Sequence, residues 1–364
     1  MPPPSLTGVP NPGFWRGRRV LVTGHTGFKG AWLVLWLRRL GADVTGFGRS
    51  APTAPSLFEL AGCAQDVTSV EGDVRSLEAV EAAVRDARPE VVIHMAAEAI
   101  VRRSLRDPLT TYAVNVMGTA NVLDAIRRKG AAARAVVCVT TDKCYLNREW
   151  EWAYREDEPL GGKDPYSSSK ACQELVAVAY RDSYLAERGV GLATARAGNV
   201  IGGGDWAPDR LVPDLMRAAI AGEPLAVRSP GAVRPWQHVL SPLSGYLVLA
   251  ERLWEDPAAH AAAWNFGPLE GDARPVSWVV DRLRDRWPGP IEVEIAGAGT
   301  ADGEGKEAMA LKLDSSRARA RLGWAPGWDL ARGLDATVEW YAGYRDGADL
   351  RALCGRQLES FGAR

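Results

Sequence analysis

Histidine and cysteine are scarce in this chain, at four and five of 364 residues. Cys63, Cys138, Cys144, Cys172 and Cys354 form no CxxC pair and are odd in number, so neither a zinc site nor a disulfide framework is expected. An excess of either charge is also missing. Lys plus Arg total 44 against 45 Asp plus Glu, a net charge of -1 and a pI near 6.5. Without a global basic field, neither nucleic acid nor an anionic membrane is an expected partner. Long apolar runs are absent too, since Arg38 and Arg39 interrupt the best of them well short of a membrane span. The proline-rich start, residues 1–12, has no apolar core and does not read as a secretory signal. The expectation is a soluble cytoplasmic protein whose local arginines remain available to a phosphate-bearing small molecule.

What the chain does have is a glycine-rich turn. Residues 20–23 (Val-Leu-Val-Thr) read as a short buried strand, followed by Gly24, His25, Thr26, Gly27, Phe28, Lys29 and Gly30 and then an apolar helix to Leu40. A dinucleotide pyrophosphate needs this arrangement. Gly24 allows the tight turn, Gly27 a close approach of backbone to phosphate, and Gly30 close packing of helix on sheet, while free amides face the anion. The spacing is GxxGxxG rather than GxGxxG, so the turn alone is a moderate signal.

Strands are expected at residues 43–47, 67–71, 91–94, 135–140 and 191–196, separated by helical stretches that include residues 105–128 and 166–188. This alternation predicts a Rossmann-like, doubly wound parallel α/β sheet with a smaller C-terminal α/β substrate lobe. The division is expected near residue 198, with residues 1–198 mainly binding the dinucleotide and 199–364 mainly the substrate, some segments returning to the first part. Residues 296–306, rich in glycine and alanine, read as mobile.

Arg49, after the second strand, stands where an NAD-specific fold would place an acid; it can lie along the adenine or meet a 2′-phosphate, which leaves NADP open. Asp73, beside Val74, can accept from the adenine or cap the helix that follows. Ala96 and Ala97 let the chain pass close beneath a cofactor. Asn115 can brace its helix or hold a relay water. Arg196 completes the cofactor-facing set.

The chemistry centres on Tyr166 and Lys170, four residues apart and hence on one helix face. An ammonium beside the phenol favours phenolate, and the lysine can also reach the nicotinamide ribose. Thr140 and Thr141 supply a hydroxyl from the preceding strand end. Tyr166 can then take a proton from a sugar hydroxyl during oxidation. Asp142 and Lys143 separate a dehydratase from an epimerase. Asp142 can protonate a departing hydroxyl if held protonated, and Lys143 can remove the C5 proton or stabilise the enolate.

Several longer motifs carry a resemblance. They are Thr141-Asp142-Lys143-Cys144-Tyr145, Asn147-Arg148-Glu149-Trp150, Asp164-Pro165-Tyr166-Ser167, the run from Arg196 to Trp206, and Arg234-Pro235-Trp236-Gln237-His238-Val239. The chain resembles an extended short-chain dehydrogenase/reductase of the NAD-dependent epimerase/dehydratase group, and within it the 4,6-dehydratases of CDP-glucose. That resemblance implies tightly held NAD, a CDP-glucose substrate, and a homodimer or dimer of dimers formed through residues 105–128 and 166–188. Among candidate substrate-binding residues, Glu98 lies near the sugar by that resemblance, Asn199 can bind a phosphate or sugar group, and the forked guanidinium groups of Arg210, Arg228 and Arg234 suit the diphosphate, while His238 stands in the last motif among neighbours that suggest structural ordering more than proton transfer. Glu98 stands where the family usually has Gln, and is expected near the sugar, where it can raise the pKa of Asp142. A 4,6-dehydratase of a sugar on another nucleotide, an epimerase or decarboxylase of nucleotide-sugars, and a non-catalytic NAD-binding regulator are the competing expectations.

Overall fold

The computed structural model describes residues 8–227, 229–295 and 308–362; Arg228 and residues 296–306 therefore lie outside the described residues. The glycine turn sits at the centre of a seven-stranded sheet. Strand β1 (Arg19–Thr23) leads through it into α1 (Phe28–Arg39), followed by β2 (Asp43–Gly48), β3 (Thr68–Glu71), α2 (Leu77–Ala87) and β4 (Val91–His94). Helices α3 (Val101–Arg106), α4 (Pro108–Tyr112) and α5 (Gly118–Lys129) come next, then β5 (Ala135–Val139), α6 (Pro165–Tyr180) and β6 (Gly191–Ala197). The strand order is β3-β2-β1-β4-β5-β6-β7, with β7 at Ala263–Phe266, and every pairing is parallel. Strands β4, β5 and β6 are buried along their whole length, as strands covered by helices on both faces must be.

Neither long helical stretch is one regular helix. Pro108 has no N–H to continue α3, and Asp107 instead caps α4 by accepting from Thr110 N at 3.1 Å. A five-residue π-helical turn, Ala113–Met117, then joins α4 to α5. Likewise α6 gives way to a π-helical turn, Arg181–Leu185.

After β6 the chain builds α7 (Leu211–Ala221) and a two-stranded ladder, and returns to the sheet; strands at Ala273–Pro275 and Val293–Ile295 later complete two more ladders. Helix α8 (Leu240–Glu255) packs across β5 and β6, and β7 extends the sheet at β6. Helices α9 (Leu330–Arg345) and α10 (Leu350–Phe361) close the chain, α10 packing on α1. At the junction a Cβ on Gly203 would lie 1.9 Å from Trp340 Cγ, and Trp32 Nε1 donates to Gly203 O at 3.0 Å. Trp15, Trp32, Trp36, Trp264, Trp324 and Trp340 are among the largest fully buried side chains, so much of the abundant tryptophan is core.

Candidate active site

Close packing shapes the glycine turn. Gly24 has φ +74°, and a Cβ there would lie 2.8 Å from Ala96 Cα, because the turn and the chain leaving β4 pass each other at backbone contact. A Cβ on Gly30 would lie 2.2 Å from Gly24 O. Gly27 differs: its Cβ would meet only Gly24 O, at 3.4 Å, and as N-cap of α1 it offers no side-chain acceptor to the first amides. An open flank beside unserved helix amides fits a pyrophosphate. Around it, Thr26 Oγ1 donates to Arg49 O at 2.9 Å, Ala96 N donates to Thr23 Oγ1 at 3.2 Å, and Val74 packs into the space left by Gly118. Phe28 lies near Gly202.

Thr141, Asp142 and Lys143 follow β5 in a tight 3-10 turn, beside the first turn of α6. Thr141 Oγ1 donates to Asp142 Oδ1 at 3.0 Å and accepts from Lys143 N at 3.3 Å. Asp142 is 2% exposed, and its Oδ2 has no partner. Burial raises its pKa, against the opposing pull of Lys143, the Thr141 hydroxyl and Arg234. Tyr166 begins α6, whose cap is Asp164, and its N–H donates to Ser104 Oγ at 3.1 Å. Burial pushes the Tyr166 phenol up to about 12, although a hydrogen bond with Thr141 and the charge of Arg210 favour the phenolate.

Three cations converge here. Lys29 Nζ donates to Tyr246 OH of α8 at 2.9 Å; burial, Lys170 and Arg210 lower it to about 7, with Asp142 opposing. Lys170 is lowered to about 8 by burial. Arg210 is held by Asp205 Oδ2 at 3.0 Å. Such crowding of positive charge suits an anionic ligand. Arg234, also buried, donates to Val233 O at 3.0 Å. Asn199 accepts from Gln237 N through its backbone, at 3.0 Å.

Several expectations need correction. The Lys170 ammonium donates to Gln173 Oε1 at 2.8 Å and to Val139 O at 3.4 Å rather than to the Tyr166 phenol, and Arg210 is a cation that favours the phenolate. Sharing a helix face fixes where two Cα–Cβ bonds point, not where a four-carbon side chain ends. Thr140 and Arg196, expected to face a cofactor, are engaged within the protein. Both are committed to buried Glu174, Thr140 Oγ1 at 2.5 Å and Arg196 at 3.0 and 2.8 Å, with Arg196 also donating to Tyr145 OH at 2.8 Å. His238 belongs to the core, packed near Trp32 and Trp328, and burial lowers its pKa to about 3. Glu98 is engaged by two arginines, pairing with Arg49 at 2.8 Å and Arg103 at 3.3 Å. Asp73 does not cap α2, which Ser76 does; its carboxylate binds Arg75, which lowers its pKa. Asn115 lies in the π-helical turn and clamps the backbone of Glu98 in both directions, at 2.9 and 3.0 Å, while donating to Ser169 Oγ.

The residue-type reading missed Tyr246, Ser104 and Arg103, and also Gln173 and Glu174, although the last two stand three and four residues after Lys170 on the same helix. Asp205 lay inside a quoted motif without a role. A separate cleft of about 560 Å³, lined by Trp150, Trp152, Arg155, Pro235, Leu269 and Arg319 among others, contains none of the expected site residues.

Residues 21–251 match the family model described as GDP-mannose 4,6 dehydratase. The chain belongs to this family. Within reach of that family, it is 47% identical over 353 residues to a CDP-glucose 4,6-dehydratase of Salmonella typhimurium, covering 96% of this chain and 97% of that protein. It is 31% identical over 335 residues to a dTDP-glucose 4,6-dehydratase of Streptomyces griseus, covering 90% and 94%. Among solved structures, the fold matches a dTDP-glucose 4,6-dehydratase of Bacillus anthracis at 23% identity and TM-score 0.73, covering 93% and 100%. It also matches a UDP-glucose 4-epimerase of Stenotrophomonas maltophila at 21% identity and TM-score 0.77, covering 91% and 100%.

Proposed function

We infer that this chain is a CDP-glucose 4,6-dehydratase, a hydro-lyase that forms CDP-4-dehydro-6-deoxy-D-glucose and water with NAD as its cofactor. The observation that carries the dehydratase reading is Asp142, a buried carboxyl with raised pKa and an unpartnered Oδ2 beside Thr141. An epimerase has no use for a second acid. NAD held at the glycine turn would supply reversible hydride transfer between C4 and C6. Tyr166, hydrogen-bonded to Thr141, accepts the C4 hydroxyl proton, aided by Arg210. Lys143 removes the C5 proton, Asp142 hands its proton to the C6 hydroxyl, which leaves as water, and a solvent-exchanged proton returns to C5 from Lys143 as hydride reaches C6. The glycine turn holds the pyrophosphate, while Lys29 and Lys170 supply positive charge beside it. Asn199, Arg210 and Arg234 serve the nucleotide-sugar. Incubation with CDP-glucose in deuterated water tests this: a 4-keto-6-deoxy product carrying solvent deuterium at C5 supports it, and a C4 epimer or carbon dioxide overturns it. The same product from only dTDP-, UDP- or GDP-glucose keeps the chemistry and overturns the nucleotide.

The same reading extends to assembly and compartment. Leu109 (81% exposed), Met117 (57%) and Leu175 (59%), with Tyr112, Val178 and Tyr184, leave an apolar face on α4, its π-helical turn and α6, which a second copy would cover. Light scattering is expected to give a dimer or a dimer of dimers. All five thiols are unpaired, which suits the reducing cytoplasm. No helix among the described residues is long and apolar enough to cross a membrane.

A further inference from the structure

Arg49 follows β2 and Glu98 follows β4, and β1 with its glycine turn runs between them. Neighbouring strands lie about 4.8 Å apart. The 2.8 Å bond from Arg49 Nη2 to Glu98 Oε1 therefore crosses the end of β1, at the switch point where a dinucleotide lies in such a sheet. Its two ends are unlike. The Glu98 side chain is 7% exposed and the Arg49 side chain 50%. The other Glu98 oxygen meets Arg103 Nε at 3.3 Å, Asn115 fixes the Glu98 backbone, and Thr26 fixes the Arg49 carbonyl. The remaining carboxylate near Arg49, Asp73, is bound to Arg75.

The end of β2 is where a dinucleotide-binding sheet meets the adenosine ribose, with an acid for a 2′-hydroxyl or a basic residue for a 2′-phosphate. This chain has the basic residue, but its charge is already claimed. We propose that Glu98 sets the preference for NAD over NADP by holding Arg49 away from a 2′-phosphate. To serve that phosphate, Arg49 must leave a buried carboxylate with Arg103 alone, and the dianion must sit near the same carboxylate. Both disfavour NADP. A free 2′-hydroxyl asks for no such exchange.

The proposal rests on the dinucleotide site described above, and one experiment separates the two. Holoenzyme is equilibrated with excess NAD and NADP, desalted, and the bound nucleotide is released and quantified by mass spectrometry. Glu98→Gln is expected to raise the bound NADP:NAD ratio about tenfold, the scale of one charge-assisted hydrogen bond. Arg49→Met in the same background should return the ratio to the wild-type value. Arg49→Met alone should leave it unchanged, a reading that holds even if Glu98→Gln does not fold. An unchanged ratio in Glu98→Gln, a gain that survives the double substitution, or a fall in NADP binding in Arg49→Met overturns the proposal. Wild-type protein that retains neither nucleotide overturns the dinucleotide site and the proposal together.

Discussion

Two carboxylates near α6 are equally buried, Glu174 at 1% and Asp142 at 2% exposure, and they could hardly be treated more differently. Glu174 accepts from Thr140, Thr194 and both Nε and Nη2 of Arg196, so its oxygens and its charge are satisfied. Asp142 accepts one hydroxyl on Oδ1 and leaves Oδ2 bare. Burial without partners drives a carboxyl toward its protonated form, which is the form an acid catalyst needs. Burial with four donors makes a carboxylate a fastener between strands and helix. Exposure alone therefore does not separate the two carboxylates; their hydrogen bonding does.

Substituting the two acids should separate chemistry from stability. Asp142→Asn is expected to lower product formation ~10²–10⁴-fold, the usual worth of a general acid, with the unfolding midpoint unchanged. On the wild-type protein, the acid role requires the protonated form, so activity should persist above the ordinary carboxyl range and fall as pH rises through the raised pKa of Asp142. Glu174→Ala should do the reverse, losing ~3–5 kcal/mol in urea unfolding because Arg196 is left buried and unpaired. A smaller step sharpens the contrast: Thr140→Val should cost ~1–3 kcal/mol of stability through the lost Glu174 bond while turnover per folded molecule stays intact. A loss of NAD binding in Thr140→Val would return that residue to the cofactor.

A separate effect is expected in the pH dependence of cofactor-stripped protein. Lys29 is lowered from 10.5 to about 7 and Lys170 from 10.5 to about 8. Between those limits the unfolded chain binds more protons than the folded one, so stability should rise with pH there and be lowest below about 7. A bound pyrophosphate would favour both ammonium forms and flatten that slope, which thermal melts with and without NAD would read.

Much of this molecule was legible from residue order. The period and glycine spacing of residues 20–30 placed β1 and its turn, and the strands at 43–47, 91–94 and 191–196 agree with β2, β4 and β6 to within a residue. The Thr141-Asp142-Lys143 and Tyr166 cluster also came together as expected, because a strand end and a helix start are local features joined by a short path. Legibility ended where a side chain's partner was distant in sequence. Arg196 looked like a cofactor residue until Glu174 claimed it, and Glu98 looked like a neighbour of Asp142 until Arg49 and Arg103 did.

By itself, then, the sequence determined the parallel sheet and the glycine turn and marked Asp142, Lys143 and Tyr166 as candidates, since these follow from backbone geometry and residue chemistry at short range. Only the tertiary structure decided which charges meet. It paired Glu98 with Arg49 across β1, set Lys29 on Tyr246 from 217 positions away, and left one oxygen of Asp142 without a donor. Those outcomes depend on which side chains fill a shared volume first, and no local pattern carries that information.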